Sequence, residues 1–178
     1  MTATSGIITS ISGDFFIDKP ESAVPVMPVF EAKVVGGNGQ SLKQGEAGEL
    51  WVRGAPVIKG YINRADETAE TITDGWLHTG DVATIDEHGF IFIVDRVKDM
   101  VLRGGENIYC SEVETTLHKM DNIQECSVFG VDDDRLGEEV GVSIYLKPGS
   151  TDSAEDIRAF CLQHMAKHKI PRYIWLST

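Results

Sequence analysis

The sequence predicts an α+β protein in which a small β-barrel-like portion is followed by a compact α/β unit. Short apolar runs separated by turn-forming residues fill positions 24–60, as in small barrels and sandwiches. Residues 110–176 instead follow the order helix, strand, strand, helix, strand, which is typical of an open-faced α+β sandwich. Between them a strand-like run, 90–94, leads into a charged corner at Asp95–Asp99. We therefore expect a domain boundary near residue 97.

The first portion contains two clear strand patterns. Phe30–Val35 alternates partially between apolar and polar residues and is followed by a strong turn signal at Gly36–Gly39. Glu49–Gly54 forms the next predicted strand. Residues 64–72 lack a wide apolar face, so we expect a short exposed helix there, and Asp74-Gly75 predicts a tight turn after it.

The first helix of the second portion is predicted from its spacing. Ser111 and Glu114 have the Ser-x-x-Glu spacing of a capping box, which marks a helix start. Val113, Leu117 and Met120 follow at i, i+4 and i+7 and would bury one stripe of that helix.

Two strands, a second helix and a last strand complete this portion. The strands are expected at 123–131 and 140–146. Ser153 opens the second helix, and Lys167–Lys169 are expected in its last turn, where cations complement the helix dipole. Its predicted buried face consists of Ile157, Phe160, Cys161 and Met165. Pro171 ends the helix, and residues 172–176 predict the final strand.

Charge and cysteine content exclude some classes of function. The 178 residues carry a formal net charge of −12, which excludes indiscriminate binding to nucleic-acid backbones but permits a local anion site. Three widely spaced cysteines, without a CxxC pair, predict reduced thiols. No apolar run is long enough to span a membrane, and no signal segment follows Met1. We expect a cytoplasmic protein without a transmembrane segment.

Three positions are candidates for chemistry. Asp81 follows a glycine at the edge of a strand, where its carboxylate could accept hydrogen bonds from a vicinal diol; the alternative is a turn-capping aspartate. Arg96 and Lys98 lie two apart and would share a face of an extended chain, either gripping an anion or belonging to a solvated linker. Gly104-Gly105 could form an anion-binding nest or a tight turn.

Metal binding is the weaker interpretation wherever acidic or histidine residues cluster. Asp132–Asp134, with Glu138 and Glu139 nearby, lacks the glycine-centred spacing of a calcium loop and favours a solvated turn between strands. His164 and His168 lie four residues apart without an evident third ligand. We expect no metal site in this chain.

Taken together, several segments resemble successive motifs of the AMP-forming adenylating enzymes. This superfamily includes acyl-CoA synthetases, 4-coumarate-CoA ligases, luciferases and the adenylation domains of peptide synthetases. The matching segments are Gly48–Gly54, Gly60-Tyr61, Asp74–Asp81, Asp95–Met100 and Gly104–Tyr109. The last two resemble the hinge region of the branch that activates fatty and aromatic acids.

The resemblance implies a role for seven residues. Thr2, Asp81 and Arg96 are expected to contact ATP or AMP, the last two at the ribose. Lys98 is expected to be the hinge about which the C-terminal domain rotates between two reaction steps. Gly104-Gly105-Glu106 is expected to form the loop used in the CoA-dependent step, where glycine leaves room for the thiol.

The resemblance also implies the reaction, its cofactors and the domains. A fatty or aromatic carboxylic acid would react with ATP and Mg²⁺ to form acyl-AMP, and CoA would then displace AMP. Residues 1–97 would be the C-terminal part of the large AMP-binding domain, and 98–178 a mobile C-terminal lid. Two alternatives stay open: a non-enzymatic remnant or binding module, and an enzyme that loads a carrier protein instead of CoA.

Two departures from the family pattern accompany this resemblance. The family's magnesium-associated glutamate corresponds here to Ala3. The lysine that polarises the carboxylate during adenylation would lie beyond Thr178, so no catalytic residue is expected within the chain. We therefore expect the isolated chain to show no ligase turnover.

Overall fold

The structure, a computed structural model, describes residues 2–6, 8–9, 19, 21–23 and 25–177. It forms two compact units, Met1–Val97 and Lys98–Thr178, each with a five-stranded sheet. The predicted α+β class is confirmed, and the structure contains a sheet curled into a half-barrel. In the ranges just given, no helix has the length and apolar character required to cross a bilayer.

The first unit is organised by one antiparallel sheet. Its strands are β1 (Phe30–Val35), β2 (Gly48–Gly54), β3 (Ile72–Thr73), β4 (Trp76–Ile85) and β5 (Ile91–Arg96). They follow the order β1-β2-β4-β3, and β5 also pairs with β4. Alternation explains β2, since Leu50 and Val52 are buried while Trp51 faces the other side. The two buried side chains pack with Leu77 and Ile91 in the core of this unit.

Turn residues predicted from the sequence join these strands. Asp74 and Gly75 both have positive φ, 50° and 78°, and connect β3 to β4 across the Thr73–Trp76 pair. This is the geometry that an Asp-Gly hairpin loop favours. Helix α1 (Ala65–Thr71) has no buried residue, so the predicted short exposed helix is confirmed.

The second unit contains a mixed sheet. Its strands are β6 (Val101–Arg103), β7 (Glu106–Ile108), β8 (Ile123–Asp133), β9 (Gly137–Leu146), which is central, and β10 (Tyr173–Ser177). β9 pairs antiparallel with the whole of β8 and parallel with β10, and it meets β6 at the single pair Arg103–Gly137. The β6–β7 hairpin is an addition to the predicted order of elements.

Two helices complete this unit: α2 (Cys110–Leu117) and α3 (Ala154–His164). Val113 and Leu117 of α2 and Ile157 of α3 pack into one cluster with Val142 and Ile144 of β9. The other side of the sheet carries the exposed aromatic residues Phe129, Tyr145 and Trp175. The predicted open-faced sandwich is therefore confirmed.

The start of α2 differs from the prediction. The helix begins after Tyr109, which provides no side-chain cap, so the capping box predicted at Ser111 and Glu114 is wrong. Glu114 instead accepts a hydrogen bond from the backbone N–H of Val128, at 2.8 Å between Oε1 and N. The carboxylate thus satisfies an N–H of β8 rather than of its own helix, a use that local spacing cannot reveal.

The prediction for the N-terminus of α3 is confirmed, and the prediction for its C-terminus is wrong. Ser153 caps its N-terminus in a reciprocal box with Asp156, as the sequence predicted for this helix start. The C-terminus is shorter than expected, because the chain becomes extended at Met165 and Lys167–Lys169 form a separate 3₁₀ turn. The side chain of Met165, where the chain becomes extended, packs against the core of this unit.

The three cysteines are unbridged. Cys110 and Cys161 are buried and Cys126 is half-buried. Burial raises the pKa of both Cys126 and Cys161 to about 11. These thiols are therefore protonated at neutral pH.

Acid is expected to destabilise the second unit. Hydrogen bonds from Arg103 hold the pKa of Glu139 below its usual range, and backbone N–H groups of Leu136 and Arg135 lower the pKa of Asp133. A carboxyl whose folded pKa is lowered stabilises the protein above its unfolded pKa of about 4, and this contribution is lost as pH falls through the folded pKa. Urea denaturation at pH 7, 5, 4 and 3 should show stability falling below about pH 5.

A variant at Asp133 separates the effect of protonating this carboxyl from the other effects of acid on stability. In Asp133→Asn the amide oxygen can still accept both backbone hydrogen bonds but has no carboxyl to protonate. Its stability should therefore fall less steeply between pH 5 and 3 than that of the wild type. Parallel pH profiles for the two proteins would contradict the assignment to Asp133.

Candidate functional site

A bulge in β4 shapes the first candidate site. Glu49 of β2 pairs with Val82, and Trp51, two residues later, pairs with His78, so β4 has extra residues opposite Leu50. The extra stretch is Thr79-Gly80-Asp81, and Gly80 has a positive φ of 73°. Bulges re-aim side chains and are frequent beside active sites, and here the redirected residue is Asp81.

Side chains of the same segment satisfy the backbone groups that the bulge leaves unpaired. The Thr79 hydroxyl donates to the carbonyl of Leu50 at 2.7 Å and accepts from the N–H of Asp81 at 3.1 Å. Glu49 accepts from the N–H of Gly80 at 3.2 Å and from the indole N–H of Trp51 at 2.8 Å. The sequence alone does not point to Thr79 and Glu49 as supports for Asp81, because their role depends on pairing between distant strands.

Removing the Thr79 hydroxyl should loosen this bulge. Thr79→Val keeps the shape of the side chain but leaves the Leu50 carbonyl and the Asp81 N–H without their partner. We expect a loss of about 1–3 kcal/mol in the free energy of unfolding, measured by urea denaturation. Thr84→Val, the same change further along β4, is the matched control and should cost less. Equal losses would contradict the proposed support of the bulge.

Asp81 and Arg96 meet across the β4–β5 ladder. The two residues are register partners, and Arg96 Nε lies 3.2 Å from Asp81 Oδ1. The Asp81 side chain is 24 % exposed and that of Arg96 63 % exposed, so both groups remain accessible to a ligand. A carboxylate has about four acceptor positions, and this ion pair leaves room for diol hydroxyls. The turn-cap alternative for Asp81 is wrong, because the residue lies within a strand.

Aromatic and cationic side chains line the same face of the sheet beside the bulge. Trp51 stacks on His78 with ring centroids 3.9 Å apart and planes 14° apart. The ammonium group of Lys33 lies 4.4 Å from the ring centre of Trp76, and the guanidinium of Arg53 lies 4.5 Å from the same ring. These contacts join β1, β2 and β4 on the side of Asp81 where β2 lies.

The second candidate group belongs to the other unit. Gly104 and Gly105, with φ of 59° and 89°, form the two-residue turn of the β6–β7 hairpin, since Arg103 pairs with Glu106. The sequence left two interpretations open for this pair, an anion-binding nest and a tight turn, and the structure forms the tight turn. The Lys98 side chain is 73 % exposed and lies in a 3₁₀ turn, Val97–Asp99. The expectation that Arg96 and Lys98 share a face of an extended chain is wrong, because this turn intervenes.

Thr2 and the acidic turn between β8 and β9 lie apart from these two groups in the sequence. Thr2 lies in a 3₁₀ turn, Thr2–Thr4, and its side chain falls outside what the structure describes. In the acidic turn between β8 and β9, Asp133 accepts hydrogen bonds from the N–H groups of Arg135 and Leu136, as a turn residue does.

A resident magnesium ion does not fit the described residues. Within the described ranges no group of three or more His, Cys, Asp or Glu side chains could hold a metal ion. Ala3, at the position of the family's magnesium-associated glutamate, is buried and packs against the core of the first unit.

Known proteins share both the sequence and the fold of this chain. Residues 112–177 match the family model of the AMP-binding enzyme C-terminal domain. Rat mitochondrial medium-chain acyl-CoA ligase ACSF2 is 46 % identical over 163 residues, which are 90 % of this chain and 26 % of that protein. The putative acyl-CoA synthetase YngI of Bacillus subtilis is 42 % identical over 176 residues, 97 % of this chain and 32 % of that protein.

A solved structure agrees in three dimensions. The o-succinylbenzoate CoA synthetase MenE of Bacillus subtilis, in complex with its acyl-adenylate intermediate, superimposes with a TM-score of 0.84 at 33 % identity. The match covers 99 % of this chain and 36 % of that one. The chain is similar to the C-terminal part of adenylate-forming acyl-CoA ligases. It spans about a quarter to a third of the length of these ligases, and the family resemblance seen in its motifs is confirmed.

Proposed function

We propose that this chain forms the ribose-binding bulge and the CoA-side glycine turn of an AMP-forming acyl-CoA ligase. The observation that carries the proposal is the accessible Asp81–Arg96 pair, held on a bulge of β4. In the first step a carboxylate oxygen of the acid attacks the α-phosphorus of ATP and pyrophosphate leaves. In the second, the CoA sulfur gives up its proton and attacks the acyl carbon, and AMP leaves.

Asp81 and Arg96 would act on the nucleotide in both steps. The Asp81 carboxylate accepts hydrogen bonds from the two ribose hydroxyls, and such charge-assisted bonds are stronger than neutral ones. Arg96, already oriented by Asp81, contacts the ribose from the adjacent strand. Holding the ribose fixes the position of the α-phosphorus relative to the incoming carboxylate. Thr2 would contact phosphate.

The second unit would act chiefly on CoA. Gly104-Gly105 presents a turn without side chains, which leaves space for the thiol and its pantetheine arm, and Glu106 follows it directly. Lys98 would serve as the hinge between the two steps. In this assignment residues 1–97 are the C-terminal part of the AMP-binding domain and 98–178 are the mobile lid.

The substrates and the cellular location are proposed from the similar proteins. ATP, CoA and a fatty or aromatic carboxylic acid are the proposed substrates, with magnesium entering as the ion bound to ATP phosphates rather than held by the described residues. The location proposed is the cytoplasm; one relative is named as mitochondrial and another is bacterial.

A chimeric ligase tests the proposal. The part of Bacillus subtilis MenE that aligns with this chain is replaced by these 178 residues, so that the rest of MenE supplies the acyl pocket. We expect the chimera to convert o-succinylbenzoate, ATP and CoA into the thioester and AMP, and the 178-residue chain alone to show no turnover. A folded chimera that forms neither acyl-adenylate nor thioester would contradict the proposal and favour a non-enzymatic remnant.

The acceptor is tested with the same chimera. Supplying CoA or a carrier protein bearing phosphopantetheine as the only acceptor compares the two candidate partners. Faster transfer to CoA is expected. Faster transfer to the carrier protein would favour the carrier-loading alternative.

A further inference from the structure

Glu139 is a buried carboxylate that has no role in the proposed function. The residue is 1 % exposed and lies on β9, the central strand of the second unit. In the described parts of the chain the other buried polar residues are Thr4, Ser22 and Thr116, none of which carries a charge. A buried carboxylate is costly unless it is paired and fully hydrogen-bonded.

Two arginines compensate the charge of Glu139. Arg103 makes a two-pronged contact, with Nε 2.6 Å from Oε2 and a terminal nitrogen 3.0 Å from Oε1. Arg172 approaches Oε1 at 3.1 Å and lies 3.5 Å from the carboxylate of Asp133. Bidentate arginine–carboxylate pairs fix orientation as well as charge, so Glu139 holds Arg103 in one geometry.

Arg103 is the residue directly before the Gly104-Gly105 turn. Its strand meets β9 at one ladder pair only, Arg103–Gly137. Two further hydrogen bonds tie the hairpin to neighbouring segments: Gly104 N–H to the Leu136 carbonyl at 2.8 Å, and Leu102 N–H to Glu138 at 2.6 Å. With so few backbone bonds, the Arg103–Glu139 contact is a principal anchor at the base of the turn.

We propose that Glu139 is a positioning residue that acts through Arg103 to hold the Gly104-Gly105 turn in the conformation needed for thioester formation. This inference rests on the proposed function, in which the turn lies along the path of the CoA thiol. Glu139 itself touches no substrate. A turn of two glycines has unusual conformational freedom, so an external anchor limits the number of conformations it samples.

The first test uses amide hydrogen exchange in the 178-residue chain. Glu139→Gln keeps the size of the side chain but removes the charge that binds Arg103. We expect the amides of Gly104 and Gly105 to exchange about tenfold faster, while Val142 and Ile144 of β9 change only with global stability. Asp133→Asn is the matched control, because it alters the same ion cluster at Arg172 but leaves the Arg103–Glu139 contact in place and keeps an oxygen that can accept from Arg135 and Leu136. It should change the exchange of the turn amides much less than Glu139→Gln does.

The second test separates positioning from general stability by measuring the two half-reactions in the MenE chimera. Glu139→Gln should slow thioester formation from acyl-adenylate about tenfold or more and leave adenylate formation within about twofold of the unmodified chimera. Arg103→Lys, which retains the charge but not the two-pronged contact, should give the same split. Equal losses in both half-reactions, or turn amides that exchange as in the wild type, would overturn the inference.

Failure of the proposed function can be recognised separately. An unmodified chimera that makes no thioester would overturn that function and the catalytic part of this inference together. The exchange rates of Gly104 and Gly105 would still decide whether Glu139 holds the turn, because they are measured without substrate.

Discussion

Gly54→Ala is expected to destabilise the first unit by about 3 kcal/mol. A β-carbon at this position would lie 2.3 Å from the carbonyl oxygen of Val29 and 3.0 Å from the ring of Phe30. The oxygen belongs to the backbone, so no side-chain rotation can relieve the overlap. Because Gly54 pairs with Phe30, the substitution should force β1 away from β2 at this end of the sheet. Urea denaturation followed by tryptophan fluorescence measures the change.

A second glycine provides the control for this prediction. Gly37→Ala introduces the same methyl group in the same unit, but no atom lies within 4 Å of its β-carbon position and the backbone there needs no positive φ. The control should therefore be neutral or slightly stabilising, since alanine restricts the unfolded chain. Similar unfolding curves for the two variants would show that the close approach at Gly54 is relieved at little cost.

Asp81→Asn in the MenE chimera should lower kcat/KM for ATP by about 100-fold. The amide carries no charge, so the bonds to the ribose hydroxyls lose their charge-assisted strength and Arg96 loses its ionic partner. The substitution preserves size and should leave the folded structure intact. Steady-state rates of thioester and AMP formation at varied ATP concentration give the effect.

The control for this variant is Asp66→Asn, which removes the same charge from the exposed helix α1 of the same unit. It should leave kcat/KM within about twofold of the parent, because exposed surface charges contribute little. An independent measurement uses the 178-residue chain alone: titration with AMP should shift the amide resonances of Asp81 and Arg96, and Asp81→Asn should abolish the shifts. Unchanged kcat/KM and unchanged AMP shifts in Asp81→Asn would remove Asp81 from the ribose site.

Local sequence patterns predicted much of the fold where the cause of the structure is itself local. The Asp74-Gly75 turn, the exposed helix α1 and the Ser153 cap all depend on residues within a few positions of one another. The capping box expected at Ser111 has the same spacing, yet it does not form. Glu114 is used instead by Val128, fourteen residues away in sequence, and such competition becomes visible only in three dimensions.

The candidate site also combines features that the sequence could predict with features that depend on tertiary structure. Asp81 could be chosen from the sequence because its position after a glycine at a strand edge permits a diol contact, and because the surrounding segment resembles a family motif; position alone left a turn-capping role open. The bulge that aims it depends on Glu49 pairing with Val82 while Trp51 pairs with His78, a register set by tertiary packing. The anchoring of the glycine turn by Glu139 was equally out of reach, because Arg103 and Glu139 are 36 residues apart.

The protonated state of the protein's thiols matters for a molecule proposed to handle activated acyl groups. An acyl-adenylate or thioester is an electrophile, and thiolates are the protein groups that would intercept it most readily. With pKa values of about 11, Cys126 and Cys161 present roughly one thiolate in ten thousand molecules at pH 7. We therefore expect acylation of these two thiols by such an electrophile to be slow.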